Sequence, residues 1–330
     1  MEVPLVSVII PTYNYNNYII EAIDSVLAQT YPQDKIEIIV VDDGSTDNTF
    51  AVLKSLIDQK TVNYFFQENK GKANATFNAI KKCNGKYIFN LDADDYFFKD
   101  KISAYVKAFE VDDEIVHVGT AAKVLYQNKN VLVTEKLPKD VLGKPLHGKW
   151  LLHRFYSSNM FFGGGTTYAA KASALKTITI PDAVDMYIDE FLLLAILPLG
   201  KSYFIENPLS VWRMHKDNFS VYGLSKESQI KKDERLLRSS AAVLKYLLEN
   251  NFDNYLVKIY QLQHATRQIA FKEISNSKNI IDIYNYATNV FFNIKPGLRL
   301  INKYHVLNRL VPLNLLKIIK GTQHSNVKDV

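Results

Sequence analysis

Short apolar runs and amphipathic repeats alternate along the first third of the chain. Residues 5–10, 36–41, 62–66, 86–91 and 115–118 are rich in Val, Ile, Tyr and Phe. Such near-continuous apolar runs suit strands covered on both faces. Between them, Ile19, Ile23, Val26 and Leu27 keep helical spacing, as do Phe50, Leu53, Leu56 and Ile57. Ala73, Phe77 and Ile80 predict a third helix, with Lys81 and Lys82 near its end and Gly85 as its C-terminal cap. This alternation predicts an α/β fold with a mainly parallel central sheet, flanked by helices and joined by right-handed crossovers.

After residue 122 the alternation fades. The polar stretch 127–148 predicts a hairpin and loops. Phe161-Phe162-Gly163-Gly164-Gly165-Thr166 predicts a flexible turn before a strand at 167–170. Residues 183–199 predict one hydrophobic helix, and 203–205 and 209–212 predict two short strands. From residue 226 the pattern is helical, through 236–248, 255–274 and 280–292. The chain therefore divides into a domain of residues 1–222 and a helical C-terminal region of residues 223–330.

Charge and cysteine usage narrow the class. The net charge is +6, but Lys295, Arg299, Lys303, Arg309, Lys317, Lys320 and Lys328 supply seven positive charges near the C-terminus. The basic character belongs to that tail, and no nucleic-acid-binding motif accompanies it. Residues 295–320 interleave these bases with Leu and Ile, a pattern suited to a membrane surface and equally to packing on protein. Cys83 is the single cysteine, which fits a reducing compartment. The N-terminus lacks the basic start and cleavage site of a signal peptide, and no run of about 18 apolar residues predicts a membrane-spanning helix. These features predict a cytoplasmic protein, peripheral on the inner face of the cell membrane if the tail binds lipid. A homo-oligomer stays open.

Three polar clusters follow predicted strands: Pro11-Thr12-Tyr13-Asn14, Asp42-Asp43-Gly44-Ser45 and Asp92-Ala93-Asp94-Asp95. In an open parallel sheet such strand ends converge on one ligand-binding crevice. Three carboxylates within four residues repel one another, and a hard divalent cation with oxygen ligands best relieves this. Magnesium or manganese there would neutralise a diphosphate leaving group. Within the second cluster, Ser45 or Thr46 is expected to cap the next helix. Tyr13 is suited to pack against a planar base, and a carboxylate at a strand end suits the donors of a base or ribose.

The runs Val8-Ile9-Ile10-Pro11-Thr12-Tyr13-Asn14, Val40-Val41-Asp42-Asp43-Gly44-Ser45-Thr46-Asp47 and Leu91-Asp92-Ala93-Asp94-Asp95 resemble the second family of inverting glycosyltransferases. The resemblance covers residues 5–220 and implies the GT-A fold. It implies that Pro11, Tyr13 and Asp43 sit at the nucleotide base of a nucleotide-sugar donor, by analogy a UDP-sugar. It also implies that Asp92 and Asp94 form the DXD pair, with Asp94 the direct metal ligand, Asp92 nearer the ribose and Asp95 supporting. The family's Ala-Arg-Asn stretch is Thr76-Phe77-Asn78 here, so Lys70 or Lys72 is the candidate diphosphate contact. Val211-Trp212-Arg213-Met214-His215 resembles the family's Tyr-Arg-x-His ending, with His215 a third metal ligand or a phosphate donor.

An inverting transfer needs a general base for the acceptor hydroxyl. Asp185, Asp189 and Glu190 stand at the mouth of the 183–199 helix. Similar enzymes place an acid before a leucine-rich helix ending in Gly-Lys, matched here by Gly200-Lys201. That register ranks Asp189 first, Glu190 second and Asp185 third. The resulting expectation is a metal-dependent hexosyl- or N-acetylhexosaminyltransferase acting on a glycan or lipid-linked saccharide. The alternatives are a sugar-phosphate nucleotidyltransferase and a non-catalytic nucleotide-sugar binding subunit.

Overall fold

The computed structural model describes residues 2–158, 164–216, 218 and 225–293. The chain opens with β1 (Val6–Thr12), α1 (Ile19–Leu27), β2 (Ile36–Asp42), α2 (Thr49–Asp58), β3 (Asn63–Phe66), α3 (Lys72–Lys82) and β4 (Tyr87–Asn90). There follow β5 (Tyr96–Phe97), α4 (Lys101–Phe109), β6 (Ile115–Gly119), β7 (Lys123–Tyr126), β8 (Val131–Thr134), β9 (Pro145–His147) and α5 (Gly148–Ser158). Next come β10 (Tyr168–Lys171), α6 (Ala172–Leu175), α7 (Ile188–Ile196), β11 (Lys201–Phe204) and β12 (Ser210–Met214). Three helices end the described chain: α8 (Lys226–Glu249), α9 (Asn254–Ile274) and α10 (Ile280–Asn293).

The main sheet has eight strands in the order β3-β2-β1-β4-β10-β6-β11-β9. Its β3-β2-β1-β4 core is parallel. The switch in strand order lies between β1 and β4, the place where an α/β sheet opens a crevice at its carboxyl edge. Register brings the three polar clusters to that edge together: Thr12 pairs with Asp42, and Ile9 with Asn90. Every residue of β1 is buried, and Val8, Ile10, Val40, Phe89 and Ile102 lie in one hydrophobic core beneath the site. A second sheet, in the order β5-β12-β7-β8, carries the segment ending at Met214. Both sheets belong to one compact unit formed by the described residues before 219, apart from the end of α5. Helices α8–α10 form a second unit.

Several expectations change in detail. β1 runs through Pro11 and Thr12, so the first loop begins at Tyr13. The hairpin is β7 and β8, turning at residues 127–130 rather than lying wholly beyond 127. β10 is antiparallel to both β4 and β6, a reversal that short apolar runs do not encode. The helix expected over 183–199 is shorter. Tyr187, in the left-handed region at φ 57°, precedes α7, and Leu197–Leu199 tighten into a 3₁₀ turn containing Pro198. Proline lacks the amide that would continue the α-helix.

Gly85 is not a left-handed cap. The helix ends at Cys83 in extended conformation, and a Cβ on Gly85 would lie 2.5 Å from the Ser7 amide nitrogen. The glycine lets the chain pass against β1. Among the described residues no helix is long and apolar enough to cross a membrane. Residues 161–163 and the 295–320 tail lie outside the described residues.

The core of the first unit also holds a buried titratable group. His117 on β6 is buried, with Nδ1 2.7 Å from Ser202 Oγ on β11. Burial pushes its imidazole pKa down to about 3. In the unfolded chain the ring takes up a proton below its ordinary value near 6.5, whereas the folded chain does not until far lower pH. Stability therefore falls as pH drops from about 6.5 toward 3, by up to about 1.4 kcal/mol per pH unit from this one group. Urea unfolding at pH 7 and pH 5 should show His117→Asn with a smaller acid-induced loss than the unsubstituted protein. Equal losses would remove His117 from the account.

Candidate active site

The loop after β4 brings three carboxylates together. One oxygen from each of Asp92, Asp94 and Asp95 lies within 4.8 Å of the others, with Asp94 and Asp95 buried. Such proximity carries an electrostatic cost. Burial raises the pKa of Asp92, and the Asp189 and Asp94 charges raise it further, against the lowering effect of Lys72. Burial with the Asp94 and Asp92 charges raises Asp95 well above the ordinary carboxylate range. A carboxylate cluster that resists full ionisation fits a hard divalent cation, which would relieve that repulsion.

Asp95 is tied back into the fold. Its carboxylate accepts from the Thr166 hydroxyl and, at 2.9 Å, from the Arg213 amide on β12. The Thr166 hydroxyl also accepts from the Asp92 amide at 3.2 Å, so one threonine pins both ends of the acidic loop. Beneath it, the buried Lys101 ammonium donates to the Thr166 carbonyl at 2.9 Å and to the Tyr105 hydroxyl at 3.1 Å. Burial drives the Lys101 pKa well below the ordinary lysine value, against the raising effect of Asp95. Asp94 instead meets two side-chain polar groups: His215 Nε2 and Asn218 Nδ2 each approach its Oδ2 at 3.0 Å. The His215 ring stacks on Tyr18 with centroids 4.5 Å apart.

Lys72, the first residue of α3, links this loop to a distant segment. Its Nζ lies 2.8 Å from Asp92 Oδ2 and 3.9 Å from Asp189 Oδ2. Burial lowers its pKa, but the Asp189 and Asp92 carboxylates outweigh this and hold the ammonium above its ordinary value. Asp189 stands in the first turn of α7, with Glu190 beside it and Asp185 before the helix. Gly165 makes the approach possible: a Cβ there would lie 2.7 Å from Asp189 Oδ1 and 2.6 Å from Asn90 Nδ2. Asn90 Nδ2 in turn donates to Asp92 Oδ1 at 3.1 Å. The Tyr168 hydroxyl is buried with no hydrogen-bond partner among the described residues. Burial raises its pKa, and the Asp189 charge adds to the effect.

At the β2 end, Asp42 is held by two donors. It accepts from the Tyr64 hydroxyl at 2.8 Å and from the Ser45 amide at 2.7 Å. Asp43 accepts from Gln67 Nε2 at 2.7 Å, the Lys70 amide at 2.9 Å and the Gly71 amide at 2.7 Å. A carboxylate has about four acceptor positions, so one remains for a ligand donor. Tyr13 is 45% exposed at the mouth of the crevice, while Pro11 is buried inside β1.

The cap of α2 is neither Ser45 nor Thr46. Asp47 Oδ1 accepts from the Thr49 amide at 2.9 Å, and the Ser45 hydroxyl accepts from the Asn14 amide at 2.9 Å. Ser45 thus joins the first two loops. Lys70 serves through its backbone. Phe77, where an arginine was expected, lies under the Lys81 ammonium at 3.8 Å. Arg213 turns its guanidinium to Glu21 at 2.8 Å, so its contribution to the acidic loop is its amide. Lys101 and Thr166 carry no local signal because the contact between them spans 65 residues, and Tyr168 because it stands on an unforeseen antiparallel strand.

Comparison with known proteins bears on the whole arrangement. A chondroitin synthase of Escherichia coli is 34% identical over 131 residues, which is 39% of this chain and 19% of the synthase. An uncharacterized glycosyltransferase of Haemophilus influenzae is 37% identical over 146 residues, 43% of this chain and 57% of its own length. The aligned part spans 16–21% of three Rickettsia glycosyltransferases that this chain also matches at 42–46% identity. Among solved structures, Staphylococcus aureus TarS 1-349 in complex with UDP-GlcNAc aligns with TM-score 0.61 and 16% identity, covering 98% of this chain and 88% of TarS 1-349. A Pyrobaculum calidifontis mannosyltransferase in complex with GDP-Man and Mn2+ aligns with TM-score 0.53 and 20% identity, covering 97% and 88%. These likenesses show the GT-A fold. Residues 7–172, half of the chain, match the family model directly, and the chain belongs to glycosyl transferase family 2.

Proposed function

We propose that this chain is an inverting transferase that moves a hexose or N-acetylhexosamine from a UDP-sugar to a hydroxyl of a glycan or lipid-linked saccharide. The observation that carries this reading is the Lys72 ammonium, 2.8 Å from Asp92 and 3.9 Å from Asp189. It brings the acidic loop and an independent carboxylate to one place, as a single displacement requires. TarS with UDP-GlcNAc and the mannosyltransferase with GDP-Man and Mn2+ support a nucleotide-sugar donor, and the uridine nucleotide is the one assigned here.

In this reading residues 1–222 are the catalytic domain, and residues 223–330 serve acceptor or membrane contact on the inner face of the cell membrane. Tyr13 packs on the base, with Pro11 beneath it, and the remaining acceptor position of Asp43 takes the base imino hydrogen. Asp94, Asp92 and His215 would hold manganese or magnesium, with Asp95 fixing the loop. The bound cation supplies charge neutralisation for the departing diphosphate. Asp189 takes the proton from the acceptor hydroxyl as that oxygen bonds to the anomeric carbon. The bond from that carbon to the diphosphate oxygen breaks on the opposite face and its electron pair leaves with the diphosphate, so the anomeric centre inverts. Lys72 is a diphosphate contact that moves from the carboxylates to the donor oxygens.

Two outcomes test this. Screening sugar nucleotides for hydrolysis should give manganese-dependent release of UDP with at least one donor, abolished by chelator and restored by metal. Binding without turnover of any donor would point to a binding subunit, and release of diphosphate from a nucleoside triphosphate to a nucleotidyltransferase. Asp189→Asn should lower kcat by about 10²–10⁴-fold, the range for removing a general base, with UDP affinity retained. Unchanged turnover would exclude Asp189 as the base.

A further inference from the structure

The last described helix presents an apolar face to solvent. On α10, Ile280 is 72% exposed, Ile281 64%, Tyr284 71%, Phe291 76% and Phe292 66%. At 100° per residue these five side chains fall within one arc of about 120°. The same arc carries Thr288 and no charge. The opposite arc is buried through Tyr286, Val290 and Asn293, and the Tyr286 hydroxyl reaches the Thr266 hydroxyl on α9 at 3.2 Å. The helix is therefore seated by one side and leaves five large apolar groups on the other. So concentrated a patch on a single helix marks an interaction surface rather than scattered exposure.

Charge identifies the partner. Asp282 is the last acidic residue before Asp329, and Lys295, Arg299, Lys303 and Arg309 follow α10 within sixteen residues of its end. An uncharged face of isoleucine and aromatic side chains, continued by a segment of one charge sign, matches an anionic lipid surface. Apolar groups enter the acyl boundary, and bases meet the headgroups. A second copy of the chain would carry the same run of bases and so offers this segment no opposite charge. We infer that the Ile280–Asn293 helix docks this protein on anionic membrane through Ile280, Ile281, Tyr284, Phe291 and Phe292. This docking surface stands apart from the chemistry assigned to the acidic loop, and its test needs no turnover.

Flotation of the full chain with vesicles is the experiment. Vesicles containing about a third phosphatidylglycerol in phosphatidylcholine should carry the protein, and pure phosphatidylcholine vesicles should carry far less. Phe291→Glu with Phe292→Glu should weaken vesicle binding at least tenfold, because each removes a buried aromatic group and adds a repelled charge. Both positions are exposed, so the thermal unfolding midpoint and the mass by light scattering should not change. Lys295→Gln with Arg299→Gln should weaken it by about fivefold per charge removed. The inference is overturned if the unsubstituted chain does not float, if it floats equally with neutral vesicles, or if the double glutamate variant floats as well as it does. It is also overturned if that variant converts a dimer to a monomer, since the face would then be a contact between copies.

Discussion

Holding three carboxylates in one short loop is the constraint around which the site is built. Left alone, Asp92, Asp94 and Asp95 would splay apart into water, since like charges in a partly dry setting repel strongly. Asp95 prevents this by giving its oxygens to the Thr166 hydroxyl and the Arg213 amide. Thr166 passes the restraint to Lys101 through its carbonyl and to the Asp92 amide through its hydroxyl. The repulsion remains, but the loop cannot relax it by moving. It must be relieved by cations brought to it, and Lys72 is one already in place.

That restraint draws on parts of the chain far apart in sequence. Thr166 sits just before β10, Arg213 lies on β12 of the second sheet, and Lys101 opens α4. The antiparallel insertion of β10 between β4 and β6 sets Thr166 and Gly165 beside the acidic loop and leaves room for Asp189. A parallel strand there would enter from the opposite edge and place neither residue at the crevice. The fold thus assigns the carboxylates different duties. Asp95 is immobilised, Asp94 faces a histidine and an amide, and Asp92 shares a lysine with Asp189.

The second unit shows the same economy of contact in a different setting. α10 buries Tyr286 and Val290 and leaves isoleucine and phenylalanine outward. Its amphipathic pattern alone does not tell which side packs, because both arcs of the helix contain aromatic residues. Packing against α9, marked by the Thr266–Tyr286 hydroxyl contact, decides it.

Much of this protein is legible before any coordinates. Apolar runs of strand length separated by helical repeats determine the α/β core, because burial on both faces and burial on one stripe leave different periods. The order of the three polar clusters and the family they resemble determine the class of chemistry, and Gly200-Lys201 points to Asp189. Tertiary structure alone decides the rest. Asp42 and Asp43 read as free acids until both are seen tied into the fold, Asp42 by Tyr64 and Ser45 and Asp43 by Gln67 and the amides of Lys70 and Gly71. Gly85 reads as a cap until β1 is seen against it, and Ser45 reads as a cap until it is seen bonded to Asn14. Nothing local marks Lys101, yet it is buried under the loop it supports. Local patterns record what each segment does with its own backbone and water. They do not record which polar groups meet across the sheet, and those meetings separate the acids tied into the fold from the acids left facing the crevice.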